Sequence, residues 1–152
     1  MKLTELLKPE AIIVSLQAGD KKGVLEELTV PAASISQIEH SKLVRMLMER
    51  ERLGTTGIGG GIAIPHGKLK ELKTEILCLG ISRNGVDFEA MDGKPVYIFF
   101  LLFTPEGATE LHLMLLSQIS KLLKNELFKQ KLMDARDKDS IIAIIEEFDE
   151  TA

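Results

Sequence analysis

The sequence predicts a single α/β domain, with strands and helices layered around one core. Three observations support this. The chain has 152 residues, the length of one ordinary domain. Two continuous apolar runs, Ile76 to Ser82 and Val96 to Phe103, read as buried strands. Segments with apolar residues at helical spacing lie on both sides of them, and strands interleaved with helices pack as layers.

The elements follow in chain order. Leu3 to Leu7 reads as a short helix stopped near Pro9, and the β-branched run Ala11 to Leu16 as a strand. Asp20 caps a helix through Val24, Leu25 and Leu28. Ser36 and Glu39 have the spacing of a capping box and open a second helix. Leu43, Val44 and Leu47 form the buried stripe of that helix, and Gly54 stops it. Ile62 to Pro65 is a short apolar run. Asn84-Gly85 reads as a turn after the first buried strand. Pro105 to Gly107 breaks the chain before the apolar helix Leu111 to Leu123, with Thr109 a candidate cap. Leu127 to Met133 and Ile141 to Phe148 read as two more helices, the last capped by Asp139 or Ser140. This pattern does not encode strand order or direction.

Composition excludes several classes. Surface scaling gives a folded area of about 7,600 Å² against roughly 24,000 Å² for the open chain, so a sizeable core forms without staples. The hydrophobic fraction of 45% and charged fraction of 28% are those of a globular chain. A net charge of −4 argues against a broad nucleic-acid footprint. The longest apolar run, Val96 to Phe103, is too short to span a membrane, and the N-terminal charges break any signal-peptide core. The single cysteine, Cys78, excludes an internal disulfide and a cysteine-based metal cluster. A cytoplasmic protein, with no metal or cofactor, is the expectation.

Six of the twelve glycines fall between Gly54 and Gly67. Such glycines permit positive φ and bring backbone N–H groups close to an anion. A flexible, turn-rich loop fits the same composition equally well. The segment is not a phosphate-binding P-loop, because Gly67-Lys68 is followed by Leu69. Pro65 stiffens the approach to His66. No G-x-S-x-G elbow exists for serine catalysis, and the three histidines are badly spaced for a metal. Imidazole can itself be the nucleophile, with a pKa near physiological pH. Backbone donors from Gly57 to Gly61 beside it would stabilise a phosphoryl group.

The string from Arg50 to Lys68, RERLGTTGIGGGIAIPHGK, resembles the enzyme IIA domain of the fructose, mannitol and nitrogen-related phosphotransferase systems. Weaker similarity extends over almost the whole chain, so residues 1–152 are read as one such domain. The resemblance implies a mixed parallel and antiparallel sheet flanked by helices. It implies a phosphohistidine carrier that accepts its phosphoryl group from the phosphocarrier HPr or a nitrogen-branch relative. The acceptor matches His66, with Nε2 favoured, the second family histidine matches His112, and the family arginine matches Arg50. Neither ATP nor a metal is implied, since the donor is already activated. Gly60 departs from the family pattern, where many members carry asparagine.

No enzyme IIB or membrane domain is visible in the chain, which favours a nitrogen-regulatory role acting on target proteins. The alternative is a fructose- or mannitol-type subunit feeding the enzyme IIB of a sugar permease. Rivals of other classes are a binding module that is never phosphorylated and a small nucleotide-binding protein. His40 is read as a structural histidine, Arg52 as a surface decoy for Arg50, and Cys78 as a small buried apolar side chain. Lys68 has no assigned role. Ile58, Ile62 and Ile64 divide between packing under the loop and an exposed rim for a docking protein.

Overall fold

The two longest apolar runs become the two central strands of one sheet. The computed structural model describes residues 1–149. Its helices and strands are α1 (Leu3–Leu6), β1 (Ile12–Ile13), α2 (Lys21–Ser36), α3 (His40–Arg52), β2 (Gly57–Gly59), β3 (Ile62–Ala63), β4 (His66–Leu69), β5 (Ile76–Val86), β6 (Val96–Pro105), α4 (Thr109–Leu123), α5 (Glu126–Asp134) and α6 (Lys138–Phe148). The sheet order is β1-β5-β6-β3-β2, with β4 also paired to β6. β5 and β6 are antiparallel, β1 runs parallel to β5, and β3 and β4 both run parallel to β6. The sheet is therefore mixed and flanked by helices, as the resemblance implied. Phe99, Phe100 and Phe103 of β6 are fully buried, and the core continues into Val24, Leu25 and Leu28 of α2 and Leu115 and Ile119 of α4. The total accessible surface is 7729 Å².

β3 and β4 keep one register against β6, from Ile62 opposite Ile98 to Leu69 opposite Pro105. The ladder is interrupted at Ile64 and Pro65, where proline has no N–H to give. The Pro65 carbonyl still accepts from the Leu102 N–H at 3.0 Å, so the register survives the break.

Several local expectations are corrected. The expected strand over Ala11 to Leu16 is a 3-10 turn (Pro9–Ala11) followed by only two paired residues. Leu16 still donates to the Ile81 carbonyl of β5, and just beyond it the Glu27 carboxylate accepts from the N–H groups of Gln17 and Ala18. The Ser36/Glu39 capping box does not form. Helix α2 runs on through Pro31 to Ser36 and ends at Gln37 with φ 62°. The Ser36 hydroxyl accepts from the Ile38 N–H, and Glu39 precedes α3 without a side-chain cap. Asn84-Gly85 is a bulge inside β5, not a turn between elements, because Val86 pairs on with Val96. Gly85 takes φ 88° there, with the Tyr97 ring packed against it. The caps of α2 and α6 are Asp20 and Asp137; the latter replaces the expected Asp139 or Ser140. Thr109 is the first residue of α4, not its cap.

Candidate functional site

His66 opens β4 opposite Leu102, towards the carboxyl end of β6. α4 begins just beyond that end, so its first turn brings His112 to the same corner. The carboxyl ends of parallel strands are the usual place for a site in α/β sheets. The two imidazole rings lie 5.3 Å apart, centroid to centroid, at 60°. Arg50, in the last turn of α3, shares an open cavity of about 580 Å³ with His66, Met46 and Lys68. His66 thus lies beside His112 and shares the cavity with Arg50, the three coming from three separate elements.

The hydrogen bonds define the state of His66. Its Nδ1 lies 2.7 Å from the Ile64 carbonyl oxygen. A carbonyl only accepts, so Nδ1 carries the proton and Nε2 keeps its lone pair. Burial is the first cause that lowers the His66 pKa below its ordinary value. The Ile64 carbonyl and Glu51 oppose this, and Arg50 adds to it. The balance favours the neutral ring.

His112 is buried, and its Nδ1 meets the Thr104 hydroxyl at 2.6 Å. Burial, then His66 and Lys68, lower its pKa to about 4. When the Thr104 hydroxyl donates to Nδ1, the Nε2–H of His112 is free to donate elsewhere. Lys68 donates to the Thr109 hydroxyl at 3.2 Å and ties β4 to the start of α4. The Arg50 Nη1 donates to the Gly54 carbonyl at 2.8 Å, which draws the guanidinium over the end of its own helix. Arg50 is half-buried and Arg52 is exposed.

The glycine cradle does not form. Gly59, Gly60 and Gly61 all have positive φ, at 97°, 70° and 79°, and make a tight turn between β2 and β3. That turn sits opposite Tyr97 and Ile98, whose N–H groups donate to the Gly61 carbonyl. His66 sits opposite Leu102, four residues further along β6 and so about 13 Å away at strand rise. The turn also spends its polar groups locally. The Gly60 N–H donates to Asp92, the Gly60 carbonyl accepts from Lys129, and the Gly57 N–H donates to Thr55. The glycines serve the hairpin and leave the histidine alone.

Gly67 is required for a different reason. A Cβ there would lie 2.7 Å from the Met46 sulfur, so the glycine lets α3 approach β4. Of the three isoleucines, Ile62 and Ile64 are buried, and the exposed Ile58 belongs to the distant turn. Exposed Leu53, at 86%, lines the cavity, and exposed Leu113 follows His112 in the sequence. His40 bonds the Glu26 carbonyl at 2.7 Å and ties α3 to α2. The Cys78 thiol is fully buried and pushed up to about 12 by desolvation.

Sequence reasoning missed Thr104, the Ile64 carbonyl and Glu51. Only Glu51 left a signal. It stands four residues after Leu47 and seven after Val44, on the buried stripe of α3, where a charge is out of place. The Glu51 carboxylate is in fact buried, paired with Lys21 at 3.1 Å and bonded to Thr56. Among the described residues no cluster of His, Cys, Asp or Glu is suited to a metal ion, and no helix is long and apolar enough to cross a membrane.

Comparison with known proteins gives the family of the chain. Residues 5–148 match the family described as phosphoenolpyruvate-dependent sugar phosphotransferase system, EIIA 2. The nitrogen regulatory protein of Bradyrhizobium diazoefficiens is 40% identical over 145 residues, covering 95% of each chain. The fructose-specific EIIABC component of Bacillus subtilis is 35% identical over 150 residues, but only 24% of that longer protein is covered. The crystal structure of nitrogen regulatory protein IIA-Ntr from Neisseria meningitidis superposes with a TM-score of 0.89 at 34% identity, over 94% of this chain and 98% of that one. The chain belongs to the EIIA 2 family of the phosphotransferase system, and it is similar to the nitrogen regulatory members over nearly their whole length.

Proposed function

We propose that the protein is a regulatory phosphohistidine carrier that accepts a phosphoryl group on His66 Nε2. The observation behind this is the His66 Nδ1–H bond to the Ile64 carbonyl, which leaves Nε2 as the only nucleophilic nitrogen of a neutral ring. The Nε2 lone pair attacks the phosphorus of a donor phosphohistidine. The donor P–N bond breaks, and its electron pair returns to the donor imidazole. His66 keeps its Nδ1 proton, so the ring becomes cationic, and the Ile64 carbonyl oxygen stabilises that charge. Arg50 and the Nε2–H of His112 bind the phosphoryl oxygens in transit, and Lys68 adds positive charge nearby. Exposed Leu53 and Leu113 supply apolar surface for the donor protein, HPr or a nitrogen-branch relative. Similarity to nitrogen regulatory proteins over 95% of their length supports a regulatory target downstream.

The test is incubation with phosphoenolpyruvate, enzyme I and HPr or its nitrogen-branch relative, followed by intact-mass measurement. One phosphoryl group is expected, labile in acid and stable in base. Full labelling of His66→Ala would overturn the assignment. Rapid passage of the label to an enzyme IIB domain would replace the regulatory role with sugar transport.

A further inference from the structure

We propose that Glu51 is a positioning residue of the acceptor site: through Thr56 and Ile64 its buried carboxylate holds His66 as the Nδ1–H tautomer. This rests on the reading of His66 as the acceptor. The bonds form an unbroken path. The Glu51 carboxylate accepts from the Thr56 N–H at 3.0 Å and from the Thr56 hydroxyl. The Thr56 carbonyl accepts from the Ile64 N–H at 3.1 Å. The Ile64 carbonyl accepts from His66 Nδ1–H.

The Ile64 peptide groups are free for this because Gly61 and Pro65 turn their carbonyls to β6, and Ile64 between them faces the other side. Neither paired stretch against β6 includes Ile64. Its N–H turns to Thr56 and its carbonyl to His66, so the anchoring of Thr56 sets where that carbonyl points. Which ring nitrogen of a histidine carries the proton is set by the bond the other nitrogen makes. A wandering Ile64 carbonyl would let the proton move to Nε2 and block the nucleophile.

The backbone of the same residue reaches the second arm of the site. The Gly54 N–H donates to the Glu51 carbonyl at 3.1 Å, and the Gly54 carbonyl receives Arg50. The turn that Glu51 pins at both ends therefore seats the guanidinium as well. The carboxylate is itself fixed from α2 by Lys21, whose ammonium also lies 4.9 Å from the centre of the Phe88 ring. A buried ion pair is a costly way to join two helices, and a leucine on this stripe would pack at lower cost.

The experiment is Glu51→Gln, which keeps the shape and one acceptor oxygen but removes the charge. Long-range nitrogen–proton correlation spectra of 15N-labelled protein report the tautomer of each imidazole without any phosphoryl donor. Wild-type His66 is expected as the Nδ1–H form. In Glu51→Gln the Nε2–H form should grow, His40 should be unmoved, and phosphoryl acceptance should slow about 10-fold or more, as a misoriented nucleophile does. Thr56→Val removes only the hydroxyl arm and should shift His66 in the same direction. It serves as the deciding variant if Glu51→Gln fails to fold. An unchanged His66 tautomer overturns the proposal, even if transfer slows, because Glu51 would then only brace the fold. A tautomer shift in a protein that takes no label on His66 would instead refute the acceptor reading and leave the positioning role intact.

Discussion

His66 and His112 are both neutral, for different reasons of depth. His66 opens to a cavity, whereas His112 is 4% exposed and bonded to a fully buried threonine. Its lowered pKa, about 4, has a consequence for stability. The unfolded chain takes up the proton near pH 6.5 and the folded chain only near pH 4, so stability is present above 6.5 and is lost as pH falls between those values. His112→Asn cannot titrate and should lose clearly less stability than the wild type in urea melts across that window. An unchanged acid-side slope would mean that His112 already titrates normally in the fold. The same variant should slow phosphoryl transfer about 100-fold, the typical cost of removing one transition-state donor. Stopped-flow transfer in both directions would measure it, and unchanged rates would remove His112 from the mechanism.

The elements around the site divide its labour. β4 and α4 carry the histidines, α3 carries the arginine, and the β2–β3 hairpin carries the glycines to the other end of β6. Gly60→Asn follows from that separation. Asparagine tolerates the left-handed backbone at φ 70°, and the nearest atom to a new Cβ is the mobile tip of Lys129 at 3.3 Å. Stability should change by less than about 1 kcal/mol, and the transfer rate of His66 should stay at the wild-type value. A large loss of transfer with the fold intact would bring the glycine turn back into the mechanism. Gly80→Ala should behave in the opposite way. Its Cβ would lie 2.7 Å from Leu28 and 2.9 Å from Leu16, forcing α2 off β5. A destabilisation of about 1–3 kcal/mol is expected from overpacking. Trimming Leu28 should recover part of it, and additive losses in the double variant would show that the clash is not the cause.

For the whole molecule, the core cluster joins α1 through α6 and the sheet into one body. Phosphorylation of His66, as proposed, would add nearly two negative charges at one corner of that body. That charge would meet Arg50, Lys68 and the first turn of α4, groups already held by Gly54 and Thr109. We therefore expect a local electrostatic switch on the docking face. Amide-exchange changes should be confined to the end of α3, β4 and the start of α4. A change spreading to β1 or α6 would show a global rearrangement. A partner that packs carboxylates around unmodified His66 should lose affinity by about 5–150-fold on phosphorylation, readable by calorimetry with both forms.

The apolar periodicity of the sequence determined the core strands β5 and β6 and the faces of α2, α3 and α4, because burial is written in residue type. The string from Arg50 to Lys68 singled out His66 as the acceptor candidate through its resemblance to a known family, where composition alone left a plain turn-rich loop equally open. Tertiary structure alone decided what the glycines do. Local composition cannot distinguish a cradle from a hairpin, and only the register against β6 separates Gly61, opposite Tyr97, from His66, opposite Leu102. It also decided the short β1, the lost Ser36 cap and the bulge at Gly85, where long-range partners outweighed local signals. The supporting shell of Thr104, Ile64 and Glu51 was hidden for the same reason. A hydrogen bond between residues distant in sequence leaves no period behind, and only the packed chain brings its donor to its acceptor.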